Sequence, residues 1–217
     1  MKTFEAVFST RPDLYEPWRD FVGAFWAPGV VDPVALELCR LRVAQLLGSK
    51  SAAAEHQRPA VDAGLRDEQI ERLSEWPTAD CYTDAQRAAL TFAEQFVIDP
   101  HGVDDAMREA LQQQFTFPEV VAITEALAVF DGFTRFRLML CDDTPVERVV
   151  EPPPPPKTLD MPDEADPAIS QSVLGEQPAA LVAFLRLYGT LWSHGTVAQP
   201  LKEIARLRNA RITDCGY

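Results

Sequence analysis

Five consecutive prolines, Pro152 to Pro156, constrain this chain more than any other feature. Proline has no backbone N–H and a fixed φ, so the run can join neither a helix nor a sheet ladder. With Glu151 and Lys157 at its ends it is expected to form a stiff polyproline II spacer, and an acidic, poorly patterned stretch continues it to about Glu176. The 217 residues therefore divide into a segment 1–150, a linker 151–176 and a segment 177–217.

Both flanks read as helix. Glycine is scarce, at 10 residues, and no run alternates apolar and polar with period two. The spacing predicts helices over 12–27, 34–47, 51–63 and 66–75. Asp32 and Pro33 open the second, and Gly64 stops the third. Thr83-Asp84-Ala85-Gln86 has the form of a capping box and opens a helix that buries Leu90 and Phe96. A helix over 103–115 follows. The most apolar helix runs from Pro118 through Val121, Ile123, Leu127, Phe130 and Phe133 to Leu138, and is expected to be the central one. Beyond the linker, helical patterning resumes over 178–191 and 200–212. The residues before Pro12 give no signal. The expected fold is all-α.

The charge excludes some partners. A net charge of −13 repels phosphate backbones and anionic membrane surfaces, so neither nucleic acid nor membrane is an expected partner. Glu5 and Arg11 interrupt any signal-peptide core, and no run approaches the roughly 20 apolar residues of a membrane span. The expected location is the cytoplasm, where Cys39, Cys81, Cys141 and Cys215 would be free thiols. Cys39 and Cys141 read as core thiols, and Cys81 as a loop residue without a role. With three histidines and no paired cysteines, neither a metal site nor a cofactor is expected. His101 and His194 read as surface residues.

The two flanks are also related to each other. Displacing the chain by 166 residues lays 12–51 on 178–217 without a gap, with 10 identities in 40 positions. Pro12, Gly23, Trp26, Gly29, Val31, Glu37, Arg40-Leu41-Arg42 and Ala44 meet Pro178, Gly189, Trp192, Gly195, Val197, Glu203, Arg206-Leu207-Arg208 and Ala210. Two amphipathic helices can share leucines by chance. A tryptophan, two glycines and a triplet in one ungapped register point to a duplication, with 177–217 as the first third of a second copy. Trp26 and Trp192 then read as packing residues, and Arg40 and Arg206 as ion-pair partners of nearby glutamates.

Two stretches carry a resemblance. In Leu38–Leu65, a Leu-x-x-Leu-Arg-Val helix precedes His56-x3-Ala60-x3-Gly64; the other is Leu201–Tyr217. Together they resemble the carboxymuconolactone decarboxylase / alkylhydroperoxidase-D family, with the first copy matching a whole family domain over about 12–145. The resemblance implies an alkylhydroperoxidase-D-like helical domain that assembles into a trimer or hexamer. The helix over 200–212, with Leu201, Ile204, Leu207 and Ile212, is then expected to bury its apolar stripe on the first copy or on another subunit.

The family's redox branch carries Cys-x2-Cys-x3-His with a glutamate twelve residues before the first cysteine. Here the first copy keeps Glu37 and His56 but has Ser49 and Ala52 at the cysteine places. Without sulfur it can offer only acid–base chemistry, as on the decarboxylase side of the family, toward a small carboxylic acid. The second copy keeps Glu203 and Cys215 at the right spacing, and the second sulfur would fall at 218. A selenocysteine at 218 read as a stop is one expectation; deliberate shortening, a frameshift and decay are the others. A cysteine in the first turn of a helix capped by Thr213 or Asp214 would be favoured as thiolate, the nucleophile of peroxide and disulfide chemistry. The resemblance implies a peroxidase or disulfide oxidoreductase supplied with electrons by a lipoyl-type thiol. Three readings follow: redox chemistry at Cys215 with Glu203 and the residue expected at 218, without which the 217-residue chain is expected to be impaired; acid–base chemistry at Glu37 with His56; or a first copy that only builds the oligomer.

Overall fold

The structure is a computed structural model that describes residues 3–162, 166–193 and 195–215. His194 and the Gly216-Tyr217 end of the cysteine motif lie outside the described residues. Eleven helices and one two-stranded sheet are found among those described. The helices are α1 (Phe4–Phe8), α2 (Pro12–Phe25), α3 (Pro33–Leu47), α4 (Lys50–Ala53), α5 (Arg58–Asp62) and α6 (Asp67–Glu71). They continue with α7 (Asp84–Ile98), α8 (Asp105–Gln114), α9 (Phe117–Leu140), α10 (Pro178–Ser193) and α11 (Gln199–Ile212). The fold is all-α. No helix among the described residues is long and apolar enough to cross a membrane.

The local signals for α3 and α7 are realised. Asp32 accepts from the N–H groups of Val34 and Ala35 with Pro33 in the first turn, and Thr83 and Gln86 form the capping box of α7. The expected helix over 51–63 is broken instead. Pro59 sits in the first turn of α5, which forces the preceding chain out of helix. Glu55–Gln57 becomes strand β1, paired in parallel with β2 (Arg148–Val150), so that His56 faces Val149. This strand pair delivers the proline run to the domain surface.

The central helix is α3 rather than α9. Val34 to Leu41 are buried without a break, between a core shared with α2, α7, α9 and α10 and a second core of Leu73, Trp76, Tyr82 and Leu90. The last turn of α9 is solvent-facing, with Met139 80% exposed. The N-terminal segment, silent in sequence, forms α1. Phe4 and Phe8 are buried there in an aromatic cluster with Trp18 and Phe133.

The boundary at residue 177 is a boundary in sequence but not in packing. Helix α10 lies along α2, and Ala180, Ala183 and Leu187 belong to the same core as Phe21, Phe25 and Ile123. The two helices are those that the 166-residue displacement relates. Helix α11 does not bury its stripe on the first copy: Leu201, Ile204, Leu207 and Ile212 are 51–65% exposed.

Candidate functional site

Glu37 and Arg40 lie one turn apart on α3, where the helix is buried on every side. The Arg40 guanidinium grips Glu37 with two bonds, Nε to Oε2 and Nη2 to Oε1, each 2.7 Å. Burial opposes the charge on Arg40, yet Glu37 and Glu55 hold it above its ordinary range. Arg40 also donates to the carbonyls of Ala52 and Glu55, tying the chain after α3 to the helix. Gln57 N–H donates to Glu37 Oε1 at 3.1 Å. His56 Nδ1 lies 4.0 Å from the same oxygen, is buried and has no hydrogen-bond partner; its Nε2 is 3.2 Å from exposed Glu147. Glu37 and His56 are therefore brought together, but the carboxylate is already engaged on both oxygens.

Ser49 and Ala52, the residues at the cysteine places, are both buried. Ser49 is itself the N-cap of α4 and accepts from Ala52 N–H. The first motif position is thus a cap, not a first-turn residue, and Thr213, expected as a cap, instead ends α11. Asp143 closes the spot. It accepts from Ser49 Oγ, Lys50 N–H, Ser51 N–H and Ser51 Oγ at 2.9–3.0 Å. Burial works against its charge, but these donors hold its carboxyl below the usual range. The Ser49 hydroxyl, at the first cysteine place, is thus engaged by a carboxylate of the chain.

Beside this network is a cavity of about 480 Å³. Trp18, Trp26, Phe130 and Phe133 form its apolar walls, Arg40, Glu55, Gln57 and Arg137 its polar end, and Pro152–Pro154 its cover. Glu55 joins Arg137 at 2.7 Å and also Arg148; burial raises its carboxyl, and the two arginines more than offset that. The buried Trp18 Nε1 has no partner. Asp143, Glu55 and Arg148 had no signal in the sequence, since their partners lie 93 and 94 positions away.

The second segment reproduces part of this geometry. Arg206 grips Glu203 through Nε to Oε2 at 2.9 Å and Nη2 to Oε1 at 2.6 Å, the same fork one turn apart. Its bonds hold Glu203 below the usual carboxylate range. The turn after the helix matches too. Gly48 has φ +75° and Ser49 N–H reaches the Ala44 carbonyl; Asp214 has φ +49° and Cys215 N–H reaches the Ala210 carbonyl, both at 2.9 Å. Arg206 lies within electrostatic range of Cys215 and of Tyr188. Unlike their buried counterparts, Arg206 and Cys215 are exposed and Glu203 is half-buried. The other thiols are poor nucleophiles. Burial pushes Cys39 up to about 12 and raises Cys141, and Cys81 is buried. Among the described residues no cluster of three His, Cys, Asp or Glu side chains could hold a metal ion.

Residues 12–95 match the model of the carboxymuconolactone decarboxylase family. An uncharacterized protein of Escherichia coli (strain K12), YnjA, is 24% identical over 106 residues, which is 49% of this chain and spans 58% of YnjA. A crystal structure of a protein of unknown function from Agrobacterium tumefaciens, described as a candidate antioxidant defence protein AhpD, superposes with a TM-score of 0.57. It is 22% identical and is covered over its whole length by 67% of this chain. Residues 12–95 are thus similar to the carboxymuconolactone decarboxylase family, and the all-α fold is AhpD-like.

Proposed function

We propose that the chain is an AhpD-like thiol peroxidase or disulfide oxidoreductase whose reactive sulfur is Cys215, and that the first copy is its non-redox support. The observation that carries this is the exposure of Cys215 beside the Glu203–Arg206 pair, while Cys39 and Cys81 are buried and Cys141 is half-buried. The Cys215 thiol gives its proton to solvent, since Arg206 grips both Glu203 oxygens as Arg40 does those of Glu37. The thiolate attacks one oxygen of a hydroperoxide. An S–O bond forms, the O–O bond breaks, and the alcohol leaves with a proton. Two electrons pass from sulfur to peroxide and leave a sulfenic acid. A dithiol donor of the lipoyl class restores it. One donor sulfur displaces water to form a mixed disulfide, and the second closes the donor disulfide and frees Cys215.

The test is peroxide-dependent oxidation of a dithiol by the purified chain. Cys215→Ala should abolish it, and Cys39→Ala, Cys81→Ala and Cys141→Ala should keep it. Turnover that survives Cys215→Ala overturns the reading. With it goes the expectation of a homo-oligomer, which a light-scattering mass of one chain would remove.

A second reading is acid–base turnover of a small carboxylic acid by Glu37 and His56. The cavity bordered by their neighbours Arg40 and Gln57 favours it, but neither Glu37 nor His56 lines that cavity. The grip of Arg40 on both Glu37 oxygens weighs against it, because the base must leave that pair to accept a proton. It requires activity that His56→Ala destroys and Cys215→Ala spares.

A further inference from the structure

We propose that the outer face of α10 docks a proline-rich segment in the polyproline II form, supplied by another polypeptide. The first copy provides the pattern. There Pro152–Pro154 covers the cavity walled by Trp18 and Val22 of α2 and by Trp26 at its end. It crosses the helix at Gly23, where a Cβ would collide with the carbonyl oxygens of Pro153 and Pro154. A proline strap on an aromatic wall, with a glycine at the crossing, is thus already built once in this chain.

A displacement of 166 residues turns Trp18, Val22, Gly23 and Trp26 into Phe184, Tyr188, Gly189 and Trp192. These three aromatics form a ladder along α10 that starts at the core, where Phe184 packs on Phe21 at 5.6 Å, and leads out to Tyr188 and Trp192. Phe184 stacks on Tyr188 at 5.7 Å between ring centroids, and Tyr188 meets Trp192 at 5.9 Å. Tyr188 is 45% exposed. A Cβ at Gly189 would meet nothing within 4 Å, so the crossing point is open. The chain's own prolines do not fill it, since Pro153 and Pro154 lie over Gly23.

Aromatic faces and a preformed polyproline II helix suit one another. The prolines present flat apolar surface and exposed carbonyls, and they lose little conformational entropy on docking. Charge narrows the occupant further. In a chain of net charge −13, helix α11 carries Lys202, Arg206, Arg208 and Arg211 against Glu203 alone. Lys202 bonds the Leu191 carbonyl at the end of the ladder, and Arg206 is within electrostatic range of Tyr188. The face therefore favours prolines led by an acid, as Glu151 leads the chain's own run.

The experiment titrates a fluorescein-labelled peptide of the sequence of residues 149–157, VVEPPPPPK, into the full chain and reads anisotropy. Saturable binding is expected, weakened by added salt and by replacing the peptide's glutamate with lysine. Gly189→Leu should weaken it by about tenfold or more by filling the crossing point, with the thermal unfolding midpoint kept or raised, since its side chain enters open space and leucine is the better helix former. The absence of saturable binding overturns the proposal, as does binding indifferent to Gly189→Leu. Concentration-dependent self-association that Gly189→Leu abolishes, without peptide binding, would assign the face to a second copy and overturn it as well.

Discussion

Glu125 is an acid without an opposing charge. It faces an apolar recess of about 300 Å³ made with Phe21, Leu181 and Phe184, and its Oε2 is buried without a hydrogen-bond partner. Burial raises its carboxyl to about 7 from an ordinary 4.5. Between those values the folded chain holds a proton that the unfolded chain has released, so Glu125 makes stability fall as pH rises across that window. Glu125→Gln should remove that slope and raise the melting temperature above pH 7, as thermal scans at a series of pH values would read. Arg40 is the opposite case, a charge whose removal strands another. Arg40→Met leaves the Glu37 carboxylate buried and is expected to destabilise by about 3–5 kcal/mol in urea unfolding, with Glu37→Leu in the same chain recovering part of it. The Glu37–Arg40 pair was legible in sequence, because residues three apart on a helix face each other. That Arg40 would also close the loop at Ala52 and Glu55 was not, since it depends on strand β1. Nor was Asp143 at Ser49, which the return of the chain after α9 supplies.

At the scale of elements, two glycines in matched helices should respond oppositely. Gly23 is a crossing point, and Gly189 stands in the open. Gly23→Ala must push α2 and the proline strap apart, at a cost of about 1–3 kcal/mol. Gly189→Ala gains the helix propensity of alanine with nothing to displace, and should stabilise by about 0.5–1 kcal/mol. Denaturant midpoints of the two variants check both, and equal responses would mean that the strap does not lie on α2. Element existence was legible wherever caps and period agreed, as in α3, α7 and α9. The helix expected over 51–63 failed because apolar spacing was weighed above Pro59. Helix α1 has five residues, too few for a period to show, and it is held by Phe4 and Phe8 against Trp18 and Phe133.

The whole molecule turns on where α10 belongs. The proline run suggested two units, because a stiff spacer separates what it joins along the chain. It does not separate them in space, since the run folds back over α2 and the following segment returns to lay α10 beside it. The apolar face of α10 then completes a core that α2, α3 and α9 leave open, and a sequence pattern cannot say which surface such a face will meet. The consequence is cooperativity. Leu187 is buried in that shared core, so Leu187→Ala should lower stability by about 2–5 kcal/mol and move one transition seen alike by tryptophan fluorescence and far-UV circular dichroism. Two separated transitions, with only the smaller one moved, would show that α10 folds as its own unit. A single one ties the ladder of Phe184, Tyr188 and Trp192, and the Glu203–Arg206–Cys215 group next to it, to the stability of the core that α2, α3 and α9 form. Variants deep in α2 would then loosen the thiol site without touching it.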